Sequence, residues 1–114
     1  MNETTTGKIN NDIQDKVLQF GRMLRQKGIP INKLLIFGSY AKGKASPHSD
    51  IDVCVVSENF GKDPIEEMQY LFKERRQIDN RIEPHPASFQ EYSLTESPLM
   101  WEIRKYGFEI SGLL

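Results

Sequence analysis

Two short apolar runs constrain this chain most: Lys33-Leu34-Leu35-Ile36-Phe37 and Ile51-Asp52-Val53-Cys54-Val55-Val56. Gly38 closes the first, and Ser57-Glu58-Asn59 closes the second. Bounded runs of this kind predict strands covered on both faces, so the chain must bring helices to a sheet. The link from Ser39 to Asp50 is too short for an ordinary helical crossover. It has room for one helical turn at Tyr40-Ala41-Lys42, followed by a polar loop.

The helices are legible on either side. Ile9, Ile13, Val17, Phe20 and Leu24 recur at helical spacing, with Gly28 as C-terminal cap and Pro30 as a stop. Asp63-Pro64-Ile65-Glu66 reads as a helix start, with Asp63 as N-cap, Pro64 at the first position and Glu66 completing a capping box. That helix carries Ile65, Met68, Leu71, Phe72 and Ile78. Arg81-Ile82-Glu83 predicts a short third strand stopped by Pro84 and Pro86. Ser97-Pro98 opens a last helix through Leu99, Trp101, Ile103 and Tyr106, Gly107 ends it, and Phe108-Glu109-Ile110 adds an edge strand. The predicted fold class is α/β in the α+β sense, a small mixed β-sheet with helices packed mainly on one face. At 114 residues one domain is expected over 9–114, with 1–8 as a flexible N-terminal tail.

Composition removes several functions. A formal net charge of -1 argues against strong general nucleic-acid binding, which calls for a basic surface. The single cysteine, Cys54, excludes an internal disulfide framework and a Cys-rich zinc site. No apolar run approaches the ~20 residues of a membrane span. MNETTTGKIN also lacks the pattern of a signal peptide, so a cytoplasmic location is expected.

The chemistry concentrates between the two strands. Side chains alternate along a strand, so Asp50 and Asp52 are expected on one face while Ile51 and Val53 point into the core. Two adjacent carboxylates repel unless a cation neutralises them, and hard oxygen ligands suit magnesium. Gly38 lets the backbone approach a phosphate, and a helical turn opening at Ser39 would aim free N–H groups at it. The Ser39 hydroxyl adds a donor. Lys42 and Lys44 offer positive charge to a triphosphate, and Gly43 permits a sharp turn. His48 and His85 are read as loop histidines without a partner, and Cys54 as a small packing residue. Arg75-Arg76 reads as a solvated face, and Trp101 and Tyr106 as core and surface of the last helix.

Gly38-Ser39, ten residues, then Asp50-x-Asp52 resembles the signature of the polymerase-beta-like nucleotidyltransferase superfamily. The stretch FGSYAKGKASPHSDIDVCVV looks like its minimal nucleotidyltransferase branch, small proteins paired with a helical partner of the HEPN type. Residues 33–57 carry the likeness, and Pro98 to Ile110 resembles the branch's final helix and strand.

The resemblance implies a third carboxylate on a later strand. Glu83 is the choice, with Asp79 as competitor, and many relatives carry Asp there. It further implies two magnesium ions held by Asp50, Asp52 and Glu83, ATP as nucleotide donor, and Gly38, Ser39 and Lys42 around the phosphates. The implied reaction moves AMP to a hydroxyl of the paired toxin, which makes the chain an antitoxin. Two alternatives stand beside it: a catalytically idle module that neutralises its partner by contact, and a small-molecule nucleotidyltransferase. Nucleotide sensing without transfer is a further, weaker alternative. So short a chain is expected to present an open cleft and to dock a HEPN-type partner, or a second copy, through Met68, Phe72 and Trp101.

Overall fold

Apolar residues at helical spacing form the first element of the computed structural model, which describes residues 9–94 and 96–113. The tail expected over 1–8 lies outside the described residues. Helix α1 (Asn11–Gln26) starts at Asn10, whose side chain accepts the Asp12 N–H at 2.6 Å. It ends where Gly28 takes φ +93°, its N–H on the Arg25 carbonyl and the Ile29 N–H on that of Leu24. That is the glycine-capped termination expected from the sequence.

Four strands form one sheet: β1 (Lys33–Phe37), β2 (Ile51–Val56), β3 (Ile82–Ala87) and β4 (Phe108–Glu109), in the order β3-β2-β1-β4. β1 runs antiparallel to β2 and β4, whereas β2 and β3 are parallel. A parallel pair needs a long crossover. Helix α2 (Pro64–Glu74), with a 3₁₀ turn at Arg75–Gln77, supplies it and packs on β3. Two short helices, α3 (Phe89–Ser93) and α4 (Pro98–Tyr106), complete the fold.

Alternation along the strands divides the core in two. Val17, Phe20 and Leu24 of α1 meet Leu34, Ile36, Ile51, Val53 and Val55 on one face, where Leu71 of α2 also lies. On the other face Leu35, Phe37, Cys54 and Val56 meet Met100 and Ile103 of α4. The two longer helices thus share one face, as expected, and α4 closes part of the second. The row Asp52, Cys54, Val56 runs along this second face, from half-buried Asp52 to fully buried Val56.

Three details differ from the sequence reading. β3 runs through Pro84 and Pro86 to Ala87 instead of stopping at Glu83. The carbonyls of Arg81 and Ala87 accept from Ile51 and Ser57 of the β2 side, so odd-numbered residues face the pairing partner. Pro84 and Pro86 therefore turn their missing N–H toward the open edge, where no ladder bond is lost. At α2, Asp63 accepts the Glu66 N–H at 3.2 Å, but Glu67, not Glu66, reaches back to the N–H groups of Gly61, Lys62 and Asp63. Finally, Met68 and Phe72 are half-buried, and the Arg75 guanidinium lies 4.7 Å over the Phe72 ring. Of the residues expected to dock a partner, Trp101 is the exposed one, at 47%.

Candidate active site

Strand register brings the chemistry together. Phe37, the last residue of β1, pairs with Asp52 of β2, and Asp52 pairs with Glu83 of β3. Gly38, Asp52 and Glu83 thus come to one end of three adjacent strands. Partners in register share a sheet face, so both carboxylates point to the side that α4 covers in part.

Gly38 has φ +74°, a conformation that L side chains rarely adopt, and the Asp52 carboxylate occupies the space a Cβ would need. From there the chain makes the single helical turn expected. The Lys42 N–H reaches the Gly38 carbonyl at 3.1 Å, and Gly43, at φ +71°, closes the turn. Its N–H donates to Tyr40, and that of Lys44 donates to Ser39, an αL-glycine termination. The turn does not continue into a helix. Ser39 is exposed at its start. Lys42 reaches sideways to α4, with Nζ 3.4 Å from Oε2 of Glu102 and 5.6 Å from the Tyr106 ring centre. Lys44 and His48 are exposed.

Asp52, Glu83 and His85 present ligand atoms that all lie within 4.8 Å of one another. Burial raises the Asp52 carboxyl to about 7, helped by its hydrogen bond with Glu83 and by the charges of Glu83, Asp50 and Glu102. Among the described residues, no lysine or arginine forms an ion pair with Asp52 or Glu83. Two carboxylates held together without a counter-cation, beside an imidazole, are a donor set that fits a divalent ion.

The expected site residues fall unevenly around this group. Asp50 precedes β2, is exposed, and lies outside the compact group, although its charge is felt at Asp52. Asp79 is occupied by Arg81, which donates from Nε at 3.1 Å and Nη2 at 2.9 Å. That guanidinium hydrogen bond holds the Asp79 carboxyl below its usual range. The geometry therefore groups Glu83, not Asp79, with Asp52.

His85 is the residue the sequence reading missed. It is half-buried, 3.8 Å from Glu83, with its ring edge-to-face on Phe37 at 5.1 Å. Burial lowers its pKa, while the Glu83 carboxylate acts in the opposite direction. Its signal was the two-residue spacing from Glu83, readable only if β3 continues through Pro84. Cys54 is fully buried, and burial pushes its thiol up to about 12, as befits a packing residue.

The family profile described as nucleotidyltransferase domain matches residues 19–109, a span that includes Gly38, Asp52, Glu83 and the last helix. The chain belongs to the nucleotidyltransferase domain family. A Methanocaldococcus jannaschii protein named as a candidate protein adenylyltransferase is 34% identical over 64 residues. The match takes in 56% of this nucleotidyltransferase chain, which covers 42% of that relative. Among solved structures, a toxin–antitoxin crystal structure with AMP-PNP superimposes with a TM-score of 0.57 at 20% identity, over 87% of this chain and 73% of that one. A mutant of the toxin–antitoxin MntA–HpeT gives 0.53 at 18% identity, with the same coverage. A candidate nucleotidyltransferase of Sulfolobus solfataricus gives 0.51 at 21% identity, over 71% of this chain and 75% of that one. At these identities the structural likeness concerns the fold. No described helix is long and apolar enough to cross a membrane.

Proposed function

We propose that this chain transfers AMP from ATP to a hydroxyl on a partner protein, in a magnesium-dependent reaction, as the antitoxin of a HEPN-type toxin pair. The observation that carries the reading is the uncompensated pair Asp52 and Glu83, set in register against the Gly38 turn. An idle docking module has no need of a half-buried carboxylate pair whose mutual repulsion works against the fold. The relative named for protein adenylylation and the toxin–antitoxin neighbours support the choice of acceptor.

In this reading Asp52 and Glu83, with Asp50 at the rim, would hold two divalent ions, which would supply charge neutralisation for a triphosphate and for an in-line displacement. The turn from Gly38 to Gly43 holds the phosphates by its backbone, and Ser39 adds its hydroxyl. Lys42 swings from Glu102 toward the same charge. The acceptor oxygen bonds to the α-phosphorus, the bridge to the β-phosphate breaks, pyrophosphate leaves, and the hydroxyl proton passes to solvent. A groove lined by Met68, Pro86, Leu94, Leu99 and Met100 reaches His85, next to the carboxylates. An apolar approach of that kind suits a protruding side chain of a protein such as tyrosine. Leu94 and Leu99, which line it, are 49% and 41% exposed, which suits a docking partner.

The test is co-expression with the neighbouring gene's product, followed by mass spectrometry of that product. Added mass from one or more AMP units, lost with Asp52→Asn and Asp50→Asn, is the expected result. An unmodified partner together with efficient labelling of a small alcohol would overturn the protein acceptor.

A further inference from the structure

We propose that His85 is itself a metal ligand: with Asp52 and Glu83 it forms a three-residue cation site of two oxygens and one nitrogen, and its imidazole shifts the site's preference from magnesium toward late first-row ions such as zinc. The proposal rests on the metal-dependent reading above and departs from the three-carboxylate set that the family resemblance implies. Three placements carry it. Glu83 and His85 are two residues apart on β3, so both project from the same sheet face. The parallel register sets Asp52 beside Glu83 and Cys54 beside His85, and the imidazole leans back along the strand to the carboxylate pair, with Nε2 3.8 Å from Glu83. The Phe37 ring then packs edge-to-face against the imidazole at 5.1 Å and limits its rotation.

Distances agree with shared ligation. His85 Nε2 lies 3.8 Å from Oε1 of Glu83, too long for a hydrogen bond and short enough for one ion to bridge. All three ligand atoms stay within 4.8 Å of one another, whereas Asp50 stands outside the group. Among the described residues neither carboxylate is paired with a lysine or arginine. Magnesium prefers oxygen and gives up its water reluctantly, whereas imidazole nitrogen suits zinc and its neighbours. A mixed site of this kind therefore raises affinity for the second class more than for the first.

Calorimetry on the metal-free full chain, titrated separately with zinc and magnesium and without nucleotide, reads the preference directly. The variants are His85→Ala and His85→Gln, the second preserving bulk against Phe37. The zinc-to-magnesium affinity ratio is expected to fall on the order of tenfold in both, mostly through zinc. The sequence holds two histidines, so nitrogen NMR of the wild-type imidazoles separates them with one His48→Ala spectrum. Zinc is expected to shift a ring nitrogen of His85 and leave His48 in place, a readout that does not depend on any His85 variant folding. An unshifted His85 ring, or an unchanged ratio in a folded variant, would overturn the ligand role while leaving a carboxylate site intact. A wild-type chain that binds neither ion would overturn this inference together with the metal-dependent reading beneath it.

Discussion

Gly38 and Asp52 stand against each other across the β1–β2 pair: a Cβ on Gly38 would collide with Oδ2 of Asp52 and lie 3.1 Å from its Cγ. The backbone there also requires positive φ. Gly38→Ala should therefore cost about 1–3 kcal/mol of stability and displace the carboxylate, abolishing transfer. Gly28→Ala is the control, with φ +93° and open space around the added carbon. It should lower the melting temperature yet leave nucleotide transfer near the wild-type rate. Equal activity of the two variants would remove Gly38 from the site.

Asp52 opposes folding when it is charged. Its folded pKa, raised to about 7, lies above the ordinary carboxylate value. The folded state then holds the proton more tightly, so its contribution is fully present in acid and is lost as pH rises toward 7. In chelator, the melting temperature of Asp52→Asn should fall less between pH 4.5 and 7.5 than that of the wild type. It should exceed the wild-type value at the alkaline end. Parallel curves would show that the carboxylate pair is not strained.

Val53 points to the opposite face and is fully buried against α1 and its neighbours. Val53→Asp leaves an unpaired charge in that core, a loss of about 3–5 kcal/mol by comparison with broken buried pairs. Circular dichroism should show an unfolded or severely destabilised chain. Asp52→Asn, its immediate neighbour in sequence, should remain folded.

The Cys54 thiol, pushed up to about 12 by burial with a further push from the Glu91 charge, is a poor nucleophile at neutral pH. Iodoacetamide should leave the native chain unlabelled and add one group in denaturant. Rapid native labelling would mean that the sheet opens on the α4 side.

Lys42 is partnered by Glu102 at 3.4 Å, with both side chains more than a third exposed, so the pair contributes only about 0–1 kcal/mol. Lys42→Ala should scarcely move the melting temperature while raising KM for the nucleoside triphosphate several-fold. Glu102→Gln frees the lysine and removes a negative charge near Asp52, and should lower KM. Identical KM values in the two variants would place Lys42 away from the phosphates.

Much of the fold follows from local pattern, because hydrophobic periodicity and caps are properties of neighbouring residues. The α1 stripe from Ile13 to Leu24, the doubly buried runs in β1 and β2, the Gly28 termination and the Ser97-Pro98 start all appear where the sequence places them. Helix α3 has no counterpart in the apolar pattern, although Ser88 and Glu91 form a reciprocal capping box that can be read in the sequence. The signal is short and has no apolar stripe behind it.

What the sequence by itself determined, then, is the Gly38-Ser39 turn and the Asp50-x-Asp52 spacing, since both are set within one hairpin-like stretch. Only tertiary structure decided which groups gather around Asp52. Asp50 stays outside because the strand begins at Ile51, whose N–H bonds to the Arg81 carbonyl of a distant segment. Glu83 joins, and Asp79 does not, because parallel register sets Glu83 opposite Asp52 while Arg81 holds Asp79. His85 enters because Pro84 and Pro86 face the unpaired edge of the sheet. A proline breaks a strand only on the side that must donate, and that side is chosen by the partner strand.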